Sequence, residues 1–191
     1  MKVDVIIAGV GGQGILLASR VLGTLALQAG LNSKVSEVHG MSQRGGDVVT
    51  HVRIGEEVFS PIVEEGMADA IIAFEQMEAA RAMPFLKDGG LLVVGVQKIP
   101  PMPVLIGAAS YPEGILDRIP GHIRICSVDA LSMATAAGSA RAVNMVLVGA
   151  FAKRQSLPQQ QWLDAVAACV PAHTIDINKR AFLAGWETID P

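Results

Sequence analysis

Val3 to Ala8 is a short apolar run interrupted only by Asp4 and closed by glycines, the pattern of a sheet strand covered on both faces. From Gln13 to Ala29 the pattern turns helical: Arg20, Thr24 and Gln28 fall four residues apart as a polar stripe, the remaining faces are apolar, and Gly30 supplies a C-terminal stop. Lys34 to Val38 reads as a second strand, and the polar stretch from His39 to Gly46 reads as a loop after it. Asp47 to Ile54 alternates strictly, with Val48, Thr50, Val52 and Ile54 on one side and Val49, His51 and Arg53 on the other. Gly55-Glu56 then turns the chain toward Val58-Phe59-Ser60, which predicts a β-hairpin where a simple strand–helix repeat would place a helix.

Ala70 to Phe74 is a further buried strand, followed by a helix to about Phe85 that Lys87-Asp88-Gly89-Gly90 ends, and Leu91 to Val96 is the next strand. Pro100-Pro101-Met102-Pro103 breaks the periodicity before an expected short strand at Val104 to Ile106, a short helix at Pro112 to Arg118 and a strand at Ile123 to Val128. Helices dominate the remainder: Ala130 to Ala137, Ala140 to Lys153, Pro158 to Val170 with proline in its first turn, and Ile177 to Trp186. Strands alternating with helices predict an α/β architecture, a Rossmann-like three-layer sandwich with a mostly parallel sheet, an inserted β-hairpin and a helical C-terminal part. No repeat, low-complexity tract or linker divides the chain, so residues 1–191 are expected to form one domain.

Composition narrows the function. The formal net charge is -3 and no Lys/Arg run stands out, so the electrostatic footprint of a nucleic-acid binder is missing. Asp4 sits where a signal peptide would need its apolar region, and the longest apolar stretch, Ile15 to Ala29, carries Arg20, Thr24 and Gln28 and falls short of the ~20 residues needed to cross a bilayer. The expectation is a soluble, cytoplasmic chain with no membrane partner. Its cysteines are Cys126 and Cys169, which give neither a disulfide framework nor a CxxC motif and are too few to hold a typical iron–sulfur cluster. The four histidines show no HxxxH or HExxH spacing, so no metal site is expected.

Two segments can carry chemistry. Gly9-Val10-Gly11-Gly12-Gln13-Gly14 matches GxGxxG directly after a strand and at the opening of a helix, where glycines let backbone N–H groups approach a diphosphate. Gly9, Gly11, Gly12, Gln13 and Gly14 are therefore candidate cofactor-binding residues. The usual companion is an acid closing the second strand, and Glu37 stands somewhat beyond the expected ~20 residues. The alternative is that these glycines serve only a tight turn and close helix packing. The second segment, Glu37-Val38-His39-Gly40-Met41-Ser42-Gln43-Arg44-Gly45-Gly46, gathers an acid, an imidazole, a hydroxyl, an amide and a guanidinium before paired glycines. Arg44 suits a carboxylate or phosphate because its planar fork donates two parallel hydrogen bonds, with Ser42 and the Gly45 and Gly46 amides as further donors. The competing view is that Arg44 pairs with Glu37 or Asp47 and the glycines only turn the chain. Asn144, in an otherwise apolar helix, needs a hydrogen-bond partner and reads as a structural clamp. No acid, base or nucleophile constellation emerges, so no catalytic residue is assigned.

Taken together, the glycine turn, the loop from Ser36 to Gly46 and the strand after it resemble the gamma-type domain of the pyruvate/ketoisovalerate 2-oxoacid:acceptor oxidoreductase family. The wording SEVHGMSQRGG is most similar to the beta subunits of its indolepyruvate branch. The later Asn144-Met145-Val146 and Asn178-Lys179-Arg180-Ala181-Phe182 stretches extend the resemblance over essentially the whole chain. Asp47 departs from it, since a small residue such as Ser is more usual there. The resemblance implies a subunit of an enzyme that oxidatively decarboxylates an arylpyruvate with coenzyme A as co-substrate and ferredoxin as acceptor. Thiamine diphosphate, magnesium and 4Fe–4S clusters are expected on a larger alpha-type partner subunit, with no cofactor bound by this chain alone and the isolated chain inactive. Glu37, His39, Ser42, Gln43, Arg44, Gly45 and Gly46 would then complete the partner's active site or contact coenzyme A. The different class that stays open is a stand-alone Rossmann-type nucleotide-binding protein using Gly9 to Gly14 for a dinucleotide.

Overall fold

β1 (Val3–Val10) has all eight residues buried, which places it inside the sheet with layers on both faces. In the computed structural model, which describes residues 2–39 and 46–188, the chain continues through α1 (Ile15–Gln28), β2 (Asn32–His39), β3 (Asp47–Gly55), β4 (Ala68–Ala73), α2 (Gln76–Ala82) and β5 (Leu86–Gly95). After these come α3 (Met102–Leu105), β6 (Arg124–Val128), α4 (Ala130–Ala136), α5 (Val143–Ala152), α6 (Gln159–Cys169) and α7 (Ile175–Trp186). The strands form one sheet in the order β2-β3-β1-β4-β5-β6. The pairs β1–β4, β4–β5 and β5–β6 are parallel, whereas β3 runs antiparallel to both β1 and β2. The α/β sandwich with a mostly parallel sheet is therefore present.

The hairpin differs in its partner. β3 pairs with β2, Val35 opposite Val52 and Glu37 opposite Thr50, while residues 56–63 form no strand. Alternation correctly marked β3 as half of a hairpin, but the second half precedes it. The two strands of the hairpin are thus joined through residues 40–45. Residues 102–105 also depart from expectation, forming α3 where a strand was expected. Proline preorganises a helical first turn, and Pro101 and Pro103 stand at its start. The segment from Pro112 holds only a 3-10 turn at Leu116–Arg118.

The two faces of the sheet are covered unequally. On one side α1, α4, α5, α6 and α7 bury a large core, with Trp162 edge-on to Phe151 at 6.0 Å and stacked on Phe182 at 6.3 Å. Every residue of α5 is buried, as expected for a helix that is apolar all round. α5 meets α7 at Gly149 and Gly185, where a Cβ on either glycine would run into the other helix's backbone carbonyl. The opposite side is thinner. There α2 and irregular chain cover Ile6, Ala8, Ile71 and Leu92, with Val63 and Ile123 filling the gaps.

Candidate functional site

The glycine turn sits at the C-terminal edge of β1, where the chain goes first to β2 and β3 on one side of β1 and then to β4 on the other. Crevices at such switch points are where α/β sheets bind ligands. Local chemistry explains the turn's shape. Gly12 and Gly14 adopt φ of 101° and 87°, a region that costs an L-residue roughly 1–2 kcal/mol. Gly9 is required for a different reason: a Cβ there would lie 2.9 Å from Phe74 Cβ and 2.8 Å from Gln13 Oε1. The Gln13 side chain is used internally, its Oε1 accepting the Val10 N–H at 2.7 Å and its Nε2 donating to the Phe74 carbonyl at 3.3 Å. What the turn offers a ligand is consequently backbone, since the first N–H groups of α1 have no intrahelical partner. Asn144, at the start of α5, fulfils its expected clamping role: Nδ2 donates to the Gly14 carbonyl at 3.2 Å and Oδ1 accepts the Met145 N–H at 2.9 Å.

β2 runs parallel to β1, so the loop after it emerges at the same edge as the glycine turn. The Gly11 N–H donates to the Gly46 carbonyl at 2.8 Å and ties the two segments together. His39 lies at the end of β2, and Gly46 begins the return. Gly40, Met41, Ser42, Gln43, Arg44 and Gly45 lie outside the described residues. Glu37 is exposed and lines a cleft of about 430 Å³ with Gly11, Gly12 and Gly14. It is nonetheless two strands from β1, because antiparallel β3 intervenes. A dinucleotide fold of the usual kind has its ribose-binding acid on the strand next to β1.

A second cleft of about 390 Å³ opens on the other side of the turn, between Gly12–Gly14, Gln97 after β5, Leu131 and the start of α5. Arg141 is exposed on its rim, and Lys98 adds a second cation nearby, 5.8 Å from the Tyr111 ring centroid. The turn therefore separates an acidic side, with Glu37 and Asp47, from a basic one.

Sequence reading missed the group that builds this second wall. Glu75, fully buried just past β4, accepts the Met77 N–H at 2.7 Å and the Glu78 N–H at 3.0 Å as the N-cap of α2. Its other oxygen accepts the Ile99 N–H at 3.1 Å and the Tyr111 hydroxyl. Next to it, Gln76 donates to the Val96 carbonyl at 2.7 Å. One carboxylate thus pins the 97–111 excursion to the edge of the sheet. Burial and the neighbouring Glu75 and Asp47 push Glu78 above the usual carboxylate range, partly opposed by its ion pair with Arg81 at 2.7 Å. The signal that could have found Glu75 is its place immediately after a buried strand at the binding edge. Arg141 had none beyond Ser139, whose hydroxyl accepts the Arg141 N–H at 3.2 Å.

The thiols do not suit a cluster. Cys126 on β6 faces Thr188 and Cys169 at the end of α6 donates to Thr24 at 3.2 Å, so the two sit on different elements and number half of what a cubane needs. Among the described residues no group of three potential metal ligands occurs, and no helix is long and apolar enough to cross a membrane.

Comparison with known proteins places these features in a family. The sequence profile of the pyruvate ferredoxin/flavodoxin oxidoreductase family matches residues 4–188. The chain is 42% identical over 190 residues to the indolepyruvate oxidoreductase subunit IorB of Thermococcus kodakarensis, covering 95% of this chain and 93% of that one. It is 40% identical to the IorB subunit of Pyrococcus horikoshii over the same shares. The crystal structure of the pyruvate oxidoreductase subunit PORC from Thermotoga maritima has the same fold, with a TM-score of 0.75, 23% identity and coverage of 97% of this chain and 96% of that one.

Proposed function

Because the chain belongs to the pyruvate ferredoxin/flavodoxin oxidoreductase family, we propose that it is the non-thiamine-binding subunit of a 2-oxoacid:ferredoxin oxidoreductase that acts on indolepyruvate or a related arylpyruvate. Its relatives at 42% and 40% identity carry the indolepyruvate name over nearly their full length, which supports the substrate class. In this reading thiamine diphosphate, magnesium and 4Fe–4S clusters reside on a larger alpha-type partner, which passes electrons to ferredoxin. The two scattered thiols agree with that division of labour.

The observation that carries the reading is the Gly11 to Gly46 hydrogen bond, which holds the start of the strand β3 against the glycine turn at the edge where α/β sheets bind ligands. The chain's own contribution is binding and orientation. Coenzyme A is polyanionic, and the backbone N–H groups of Gly12 and Gly14, with Arg141 across the turn, are donors suited to it, while Ser42, Gln43 and Arg44 are assigned the further contacts on chemistry alone. Glu37, exposed in the cleft beside the turn, and His39, at the end of β2, are assigned to the edge that the partner would complete. The test is turnover of the assembled complex carrying Arg44→Ala. Loss of a charge-assisted bidentate contact should raise the KM for coenzyme A by roughly tenfold or more, with a smaller change for the 2-oxoacid. Unchanged constants would remove the loop from the mechanism.

The stand-alone nucleotide-binding alternative has the GxGxxG turn in its favour. The insertion of β3 between β1 and the strand carrying Glu37 counts against it.

A further inference from the structure

The thin face of the sheet holds a cavity that the proposed reaction does not use. It has a volume of about 670 Å³, within the range typical of small-molecule sites, and lies between α2 and the Pro112–Ile123 stretch. Its floor is Leu86 and Ile123, residues at the starts of β5 and β6, so it lies toward the opposite end of those strands from the glycine turn. The apolar lining is recessed: Leu86, Ile115 and Ile123 are 8%, 7% and 8% exposed. The protein's highly exposed apolar side chains, such as Phe59, Met102 and Ile106, are elsewhere. A flat docking face would present such side chains outward, whereas a recess of this size fits a compact ligand.

The rim specifies charge. Lys87 pairs with Asp69 at 2.5 Å and His122 with Asp88 at 3.1 Å, both on the surface. Arg118 differs: it is exposed and donates to the Glu113 carbonyl at 3.0 Å, with no carboxylate against it among the described residues. A guanidinium with donors to spare at the mouth of an apolar recess matches a ligand with an apolar body and one carboxylate. Met77 and Met83 line the wall, and thioethers make favourable contacts with aromatic rings.

We infer that this cavity is a second ligand site, remote from the glycine turn, for an aromatic monocarboxylate whose ring lies against Met77 and Met83 and whose carboxylate meets Arg118. The inference does not depend on the proposed reaction. Its test is calorimetric titration of the purified complex with 1-naphthylacetate, alongside the same complex carrying Arg118→Gln or Ala80→Trp. Ala80 is exposed on the cavity wall, so the indole fills the recess without disturbing the core. Saturable binding is expected, weakened roughly tenfold or more by Arg118→Gln and abolished by Ala80→Trp, with Arg118→Lys retaining part of the affinity and 2-oxoacid turnover unchanged in Ala80→Trp. Thermal unfolding of each variant checks that it is folded. Absence of saturable binding at millimolar probe, or binding that neither Arg118→Gln nor Ala80→Trp alters, overturns the assignment.

Discussion

Gly14 and Asn144 form a joint that holds the mouth of the site, and its strength can be worked out from its parts. Gly14→Ala forces alanine into φ 87°, which costs roughly 1–2 kcal/mol. Its Cβ also arrives 2.6 Å from Asn144 Nδ2, closer than real Cβ atoms come to another atom. Asn144 must then swing aside, losing the bond to the Gly14 carbonyl and disturbing the one from the Met145 N–H, for about 1–2 kcal/mol more. Asn144→Ala alone leaves the Met145 N–H without its side-chain acceptor at a buried position, again about 1–3 kcal/mol, whereas the Gly14 carbonyl still accepts from Leu17 and Ala18. In the double variant the collision disappears, so its destabilisation should fall short of the sum of the singles by about 1–2 kcal/mol. Urea unfolding followed by circular dichroism measures all four corners of the cycle. Strict additivity would mean that the two residues do not press on each other and that the clamp is incidental.

Gly149→Ala should destabilise the fold by about 2 kcal/mol or more despite alanine's better helix propensity, because its Cβ meets the Phe182 carbonyl and α7 must move off a fully buried α5. A fall in Tm of at least about 4 °C is expected for a chain of this size, and an unchanged Tm would show that the helices are not in backbone contact. Burial pushes His51 below the ordinary histidine value of 6.5, and its Nδ1 accepts the Val63 N–H at 3.2 Å. The unfolded chain therefore takes up the proton first as pH falls, so the stability from neutral His51 is complete above about pH 6.5 and declines below it. Urea midpoints between pH 7.5 and 5.5 should show that slope, and His51→Gln should flatten it; an equal slope in both proteins would assign the titration elsewhere.

The parts of this protein that were legible in its sequence are those governed by local rules. β1 announced itself because a strand buried on both faces must be apolar throughout, and β3 because one side of it meets α1 while the other meets the thin face. The glycine turn was readable because positive φ and close approach leave almost no other residue possible at Gly9, Gly12 and Gly14. What escaped depends on contacts between distant segments. The pairing of β3 with β2 instead of with Val58-Phe59-Ser60 is decided by the whole sheet, since β3 must also satisfy β1 on its other edge. Gln13 looked like a ligand contact, yet the nearby Phe74 carbonyl and Val10 N–H claim it. Glu75 went unread, because only the return of Ile99 and Tyr111 from across the excursion makes it the fixed point of a wall. The same logic separates the two parts of the site. A glycine turn must be written into the local sequence to form at all, whereas Arg141 comes to the turn only because the fold brings the start of α5 beside Gly12 and Gly14.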